Sequence, residues 1–206
     1  MIDASDPPVG FATYPDHLDH AAQLDCAAWL KAVRVSAPFY RPTMPKTGRP
    51  FSVEMTNAGP LGWVSDVSGY RYQALHPQTG CPWPPIPTFL VKLWEEVTFG
   101  AATPQACLVN RYASKAKLGS HVDRDEEDLT TPVVSVSLGD DAIFHVGGTR
   151  RADPKTRMTL RSGDVVVLGG ASRLAYHGID RILPGTSTLL GPQGGRINLT
   201  LRRVTP

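Results

Sequence analysis

Apolar and polar residues alternate in short runs through the second half of this chain. Runs at residues 106–112, 133–138, 142–146, 157–160, 164–168, 173–177 and 196–203 predict strands, since side chains of period two line opposite faces of a sheet. Gly139-Asp140-Asp141, Gly147-Gly148, Ser162-Gly163-Asp164 and Gly169-Gly170 punctuate them as turns. Short strands at this spacing indicate a sandwich or barrel. The first half differs. Residues 16–34 set Leu18, Ala21, Leu24, Ala28 and Trp29 near helical spacing, with Pro15 just before. Residues 88–98 set Phe89, Leu90, Leu93, Trp94 and Val97 on one stripe and Lys92, Glu95 and Glu96 opposite. Both read as scaffold helices, the first packed across the back of a sheet. Residues 1–15 read as loose, the proline-rich stretches 38–50 and 76–87 as a loop and a connector, and 184–195 as a loop without a derivable role. Residues 51–57 alternate as a strand and lead into glycine-punctuated segments that expose Trp63, Tyr70 and Tyr72.

Composition adds bounds. The 206 residues suffice for one domain with a sizeable core. No apolar run nears the roughly 18–20 residues of a membrane span, and the N-terminus lacks the basic and apolar regions of a secretory signal. Cys26, Cys81 and Cys107 are odd in number and lack close-pair spacing. That argues against a disulfide framework or zinc site and for a reducing, cytoplasmic compartment. A net charge of +2 hides an asymmetry, because residues 1–30 carry five Asp and no Lys or Arg. The remainder, with 21 basic against 14 acidic groups, stands at +7. Such a body suits a polyanion partner, although many enzymes reach that charge without one.

The chemistry concentrates at residues 108–125. His121 and Asp123 are two apart, so in an extended segment imidazole and carboxylate face one centre. With His177 they make two histidines and one carboxylate, the set that leaves open positions on Fe(II) in non-heme oxygenases. Asn110 and Tyr112 share one face of the preceding strand. On the run at 196–203, Ile197, Leu199 and Leu201 form an apolar face; Arg196, Asn198, Thr200 and Arg202 form the other. Two arginines on the inner face of a half-buried strand are costly unless paired. A small dianion would satisfy both, in the bidentate geometry a guanidinium favours. Their backbones stand roughly 20 Å apart, a gap that long side chains close on a short dicarboxylic acid.

N-x-Y, H-x-D, a distal His and R-x-N-x-T-x-R, in this order, resemble the AlkB family of 2-oxoglutarate- and Fe(II)-dependent nucleic-acid dealkylases. M-T-N-A-G-P-L-G-W at 55–63, G-Y-R-Y at 69–72 and S-R-L-A-Y-H-G at 172–178 resemble its bacterial members as well. The resemblance covers about residues 50–203. It implies an α+β fold, a double-stranded β-helix (jelly-roll) core with flanking N-terminal helices and a nucleotide-recognition lid. Within a single domain, residues 1–50 would be an N-terminal extension and helix, 51–86 the lid and 87–206 the dioxygenase core.

It further implies Fe(II) on His121, Asp123 and His177, and 2-oxoglutarate with its keto-acid end near Arg202 and Asn198. The far carboxylate would lie on Arg196, Tyr112 and Asn110, with Thr200 on the same face. O2 would oxidise the co-substrate to succinate and CO2 as the N-methyl group of a flipped base is hydroxylated and lost as formaldehyde. Trp63 and the His121 ring would sandwich that base, while Tyr70, Arg71 and Tyr72 fix the adjoining backbone. Asp125 would oppose the positive charge of N1-methyladenine or N3-methylcytosine, favouring damaged over intact base. An arginine at 151 would contact substrate. The expected partner is alkylated single-stranded or locally opened DNA, with RNA left open; no membrane and no obligate protein partner are expected, and the chain is expected to be a monomer.

Plainer readings stand beside these. Trp63, Tyr70 and Tyr72 alone would pass for core aromatics in a β-meander, and a lone strand histidine such as His177 is more often structural. His145, in an apolar strand without a partner in the motif, is read as structural, Glu127 and Asp128 as a solvated loop, and Arg203 as out of register with the co-substrate ligands. Leu201 replaces a frequent phenylalanine without altering the polar face. The alternatives are a related hydroxylase of a protein or small molecule, a zinc hydrolase, and a non-catalytic single-strand-binding module. The aromatic lid argues against the first, the two inward arginines against the second, and an intact triad against the third.

Overall fold

The computed structural model describes residues 7–192 and 194–206. Its larger sheet is antiparallel throughout and orders β1 (Phe11–Tyr14), β10 (Val165–Leu168), β7 (Val133–Gly139), β12 (Arg196–Arg202), β5 (Ala106–Tyr112) and β2 (Val53–Ala58). A smaller sheet orders β6 (Leu118–His121), β11 (His177–Leu183), β8 (Asp141–Val146) and β9 (Thr156–Leu160). From β7 to β12 the chain passes repeatedly between the sheets, giving the jelly-roll. A separate hairpin joins β3 (Gly62–Asp66) to β4 (Gly69–Gln73).

Period-two burial explains the layering. Val53, Met55, Leu108, Val133 and Val166 of the larger sheet meet Ala142, Phe144, Leu160 and Ile179 of the smaller in one apolar cluster. The opposite face of the larger sheet, with Val109, Val136, Val167, Leu199 and Leu201, packs on α1 (His20–Ser36) and α2 (Thr88–Val97) through Cys26, Leu30, Leu90 and Trp94. A central strand covered on both sides exposes neither face. All seven residues of β12 are accordingly buried, where the sequence suggests a half-buried strand.

Several expectations need correction. Residues 1–6 lie outside the described residues, but residues 11–14 are not loose. They pair with β10, and Phe11 stacks on Phe144 at 6.2 Å. The first helix starts at His20, because the Asp19 side chain accepts from the Ala22 amide (2.8 Å) and caps it. Phe89, placed on the buried stripe of α2, is 36 % exposed and meets Trp29 edge-on. Residues 173–177 are not a strand. Gly170–Ser172 is a short 3-10 turn, and β11 only begins at His177. Residues 53–58, grouped with the lid on sequence, are an edge strand of the main sheet, which leaves the β3–β4 hairpin as the separate element. Strand β6 escapes detection because its four residues carry little periodicity.

Candidate active site

Between the sheets lies a cavity of about 660 Å³ whose wall includes Trp63 and Tyr70 of the hairpin. His121 ends β6, His177 opens β11, and the two are cross-strand partners. Their ring centroids stand 4.5 Å apart. Asp123, just past the strand end, places its carboxylate 3.8 Å from His121 Nε2 and 3.7 Å from His177 Nε2. One donor atom from each residue lies within 4.8 Å of the others. Nδ1 of His121 bonds the Gly119 carbonyl (2.9 Å) and Nδ1 of His177 that of Ala175 (3.0 Å). Each ring thereby spends its proton behind and turns the Nε2 lone pair inward. Asp123 Oδ2 is buried with no hydrogen-bond partner, an orphaned oxygen that a cation among these donors would satisfy. Burial alone would raise the Asp123 pKa, but Arg202, His177 and His121 outweigh it and hold the group well below the usual carboxylate range. Burial, reinforced by His121, pulls His177 down to about 4, leaving a neutral imidazole at neutral pH.

Behind this pair sits Gly178. A Cβ there would come within 2.5 Å of the Leu118 carbonyl and 3.0 Å of that of Gly119. Gly178→Ala should therefore push β6 off β11 and part the two histidines. We expect metal affinity to fall roughly 10–100-fold, as for other changes directly behind a ligand. Titration of Mn(II) into the variant checks this, and unchanged affinity would show that β6 can yield.

The inward face of β12 is set by its pairing with β5, which puts Arg196 opposite Tyr112, Asn198 opposite Asn110 and Thr200 opposite Leu108. Asn110 donates to Asn198 Oδ1 (3.3 Å), Thr200 donates to the same oxygen (2.8 Å), and Asn198 donates to Ser135 (2.6 Å). Arg196 donates to the Asp140 carbonyl (3.0 Å) and to Ser137 (2.8 Å), leaving Nε buried without a partner. Burial lowers its pKa. Arg202 lies 2.9 Å from Asp123 Oδ1. Burial opposes its charge, yet Asp123, Tyr72 and Glu126 hold its pKa above the ordinary value. All six of these β5 and β12 polar residues line the cavity beside the triad. Arg203 turns away to the carbonyls of Thr205, Thr103 and Pro206.

The residues expected to meet substrate divide. Trp63, Tyr70, Asp125 and Arg151 line the cavity; Arg71 and Tyr72 do not. Trp63 stacks on Tyr70 (5.5 Å between centroids) and donates its indole N–H to Asp125 (2.8 Å), so that carboxylate already has one partner. Arg71 is held by a bidentate pair with Asp66 (2.8 and 3.0 Å), which stiffens the hairpin. Tyr72 donates to Glu126 (2.5 Å) and accepts from Arg202 (3.3 Å), turning inward rather than toward a nucleic-acid backbone. Arg151 lies over the Tyr176 ring at 5.5 Å, whereas Arg150 pairs with Asp153. His145 is buried with Nδ1 2.8 Å from Asp180, as a structural histidine should be. Asp128 is not solvated; it is buried and caps the amides of Thr130 and Thr131.

Sequence reasoning passed over Glu126 and Arg173. Both are buried and pair at 3.2 Å, and Arg173 also donates to the carbonyls of Thr131 (2.8 Å) and Asp123 (2.7 Å). The one available signal was a charge inside S-R-L-A-Y-H-G, four residues before His177. Met44, in the stretch read as a loop, and Phe51, at the start of the predicted strand 51–57, also line the cavity.

A jelly-roll with a His-Asp-His cluster and two arginines in its mouth defines an Fe(II)- and 2-oxoglutarate-dependent dioxygenase, and the 2OG-Fe(II) oxygenase superfamily model matches residues 10–202. The chain is 50 % identical over 196 residues to the alpha-ketoglutarate-dependent dioxygenase AlkB homolog of Caulobacter vibrioides, covering 94 % of this chain and 87 % of that one. It is 46 % identical over 175 residues to AlkB of Escherichia coli, with 83 % and 80 % covered. A solved structure of OsALKBH1 superposes with a TM-score of 0.82 at 31 % identity, spanning 97 % of this chain and all of that one. Within its superfamily the chain belongs to the AlkB family of dioxygenases.

Proposed function

We propose that this enzyme removes alkyl groups oxidatively from nucleic-acid bases such as N1-methyladenine and N3-methylcytosine in single-stranded or locally opened DNA, with RNA a second substrate class. The observation that carries the reading is that Trp63 and Tyr70 of the hairpin line the same cavity as His121, Asp123 and His177. An extruded base stacks between the Trp63 indole and the His121 imidazole, a contact open to any base because every base has a π-face. Asp125 supplies the discrimination. Its carboxylate favours a methylated base that carries positive charge over the neutral parent. Arg151 contacts the substrate at the same wall.

His121, Asp123 and His177 hold Fe(II), with Nε2 of each imidazole as donor. Arg202 and Asn198 orient the keto-acid end of 2-oxoglutarate. Arg196, Tyr112 and Asn110 hold the far carboxylate, and Thr200 keeps the Asn198 amide in place. The bound metal with O2 and 2-oxoglutarate supplies the oxidising power, yielding succinate and CO2. The chain's own task is to present the N-methyl carbon to that centre and to keep bulk water out. Once hydroxylated, the methyl carbon leaves as formaldehyde when its bond to nitrogen breaks, restoring the base. A reducing, cytoplasmic compartment fits the free cysteines Cys26, Cys81 and Cys107, and the proposed working unit is a monomer.

The test is mass spectrometry of a single-stranded oligonucleotide bearing one N1-methyladenine, incubated with enzyme, Fe(II), 2-oxoglutarate and air. Loss of one methyl mass only when 2-oxoglutarate is present is the expected result. Succinate formation with the methyl retained would overturn the substrate reading and favour a protein or small-molecule hydroxylase.

A further inference from the structure

Trp63 and Tyr72 are cross-strand partners in the lid hairpin, and each donates a hydrogen bond to one of two consecutive carboxylates on the loop that carries Asp123. The outer bond, from Trp63 to Asp125, is exposed to solvent. The inner one is not. The Glu126 side chain is 1 % exposed and accepts hydrogen bonds from Tyr72 Oη at 2.5 Å and Arg173 Nη2 at 3.2 Å, with Arg202 Nε beside it at ion-pair distance, 3.3 Å, without a hydrogen bond. Arg202 closes a ring by donating to the Tyr72 hydroxyl (3.3 Å) while its other terminal nitrogen meets Asp123 Oδ1 (2.9 Å). One phenol of the lid thus touches both the guanidinium assigned to the co-substrate and the acid that steadies it.

We propose that Tyr72 is a positioning residue that couples the seating of the lid on nucleic acid to the seating of 2-oxoglutarate beside Asp123, so that the two bind cooperatively. The inference rests on the roles given above to the lid and to Arg202. Tyr72 is absent from the cavity wall, so it reaches neither base nor co-substrate and acts through Arg202 and Glu126. The network is shielded from water, so a bond lost there is not replaced by solvent at little cost. When a base competes with the Trp63 indole for Asp125, the inner bond remains as the hairpin's tie to this loop. A shift of the hairpin is then felt at Arg202. By thermodynamic reciprocity, ordering Arg202 on the co-substrate favours the seated hairpin.

Tyr72→Phe keeps the ring and deletes the hydroxyl. The affinity for 2-oxoglutarate is measured by calorimetry on Mn(II)-loaded enzyme without O2, with and without the N1-methyladenine oligonucleotide. In the native chain the oligonucleotide should tighten 2-oxoglutarate by about five-fold or more, the low end of measured couplings. In Tyr72→Phe the factor should fall below about two-fold, while affinity for the oligonucleotide alone stays near native and Tm falls modestly for the buried bond lost. Glu126→Gln, which removes the charge aligning Arg202, should lower the factor too. Under turnover, Tyr72→Phe should release more succinate per formaldehyde. A native factor of one, or an undiminished factor in both variants, overturns the coupling. If the native enzyme leaves the methyl group on this oligonucleotide, the substrate reading itself fails; if it removes the group while the variants keep the full factor, the coupling alone fails.

Discussion

Asp123→Ala is expected to abolish turnover while leaving affinity for the methylated oligonucleotide near that of the native chain. The carboxylate lies within 4 Å of both histidine nitrogens and of Arg202, and it is 8 % exposed. Losing it removes the proposed metal donor and takes from Arg202 the carboxylate 2.9 Å away. Activity should therefore fall by more than the roughly 10–100-fold that follows a change behind a ligand. The lid residues Trp63 and Tyr70 are untouched, so fluorescence anisotropy should report near-native binding. Activity within ten-fold of native would show that H-x-D does not hold the metal. Loss of binding, with no native turnover to lose, would point to a binding module.

Arg173→Met should cost stability as well as activity. Arg173 is 3 % exposed and joins the Glu126 carboxylate to the carbonyls of Asp123 and Thr131, only four residues ahead of His177. It thereby straps the segment leading to one histidine onto the loop of the other ligand. Removing one partner of a buried ion pair costs about 3–5 kcal/mol, which for a chain of this size lowers Tm by about 6–20 °C. Calorimetry of the metal-free protein reads the effect directly. Metal affinity should fall alongside it, because Asp123 loses its backbone anchor. A change in Tm of less than about 2 °C would mean that Glu126 finds its compensation in Arg202 and Tyr72 alone.

Much of this was legible without coordinates. Alternation placed β5, β7, β8, β9 and β12 to within a residue or two, because these strands are long enough for period two to show, and β10 was found as a short, continuously apolar run between turn signals. The same alternation in residues 196–202 separated the apolar face from the polar one. That division survives in the fold, with Leu199 against the helices and Asn198 in the cavity. Elements of low periodicity were lost. The four residues of β6 and the start of β11 at His177 follow from pairing with distant strands, not from any local pattern.

By itself, the chain's order of residues determined the candidate donor set His121, Asp123 and His177, the polar face of β12 and the aromatic character of the hairpin. Those are properties of residue type and short spacing, and a motif read along the chain contains them. Only the tertiary structure decided which of these groups face one another. Tyr72 and Arg71 share G-Y-R-Y with Tyr70, yet Tyr70 lines the cavity, Arg71 closes on Asp66 and Tyr72 turns beneath to Glu126. Glu126 sits in a run of acids whose next members, Glu127 and Asp128, read as a solvated loop, and it became the buried hub because Arg173 and Arg202, 47 and 76 positions away, fold onto it. A charge is bearable in a core only where another element brings its counter-charge, and no local pattern states which element that will be.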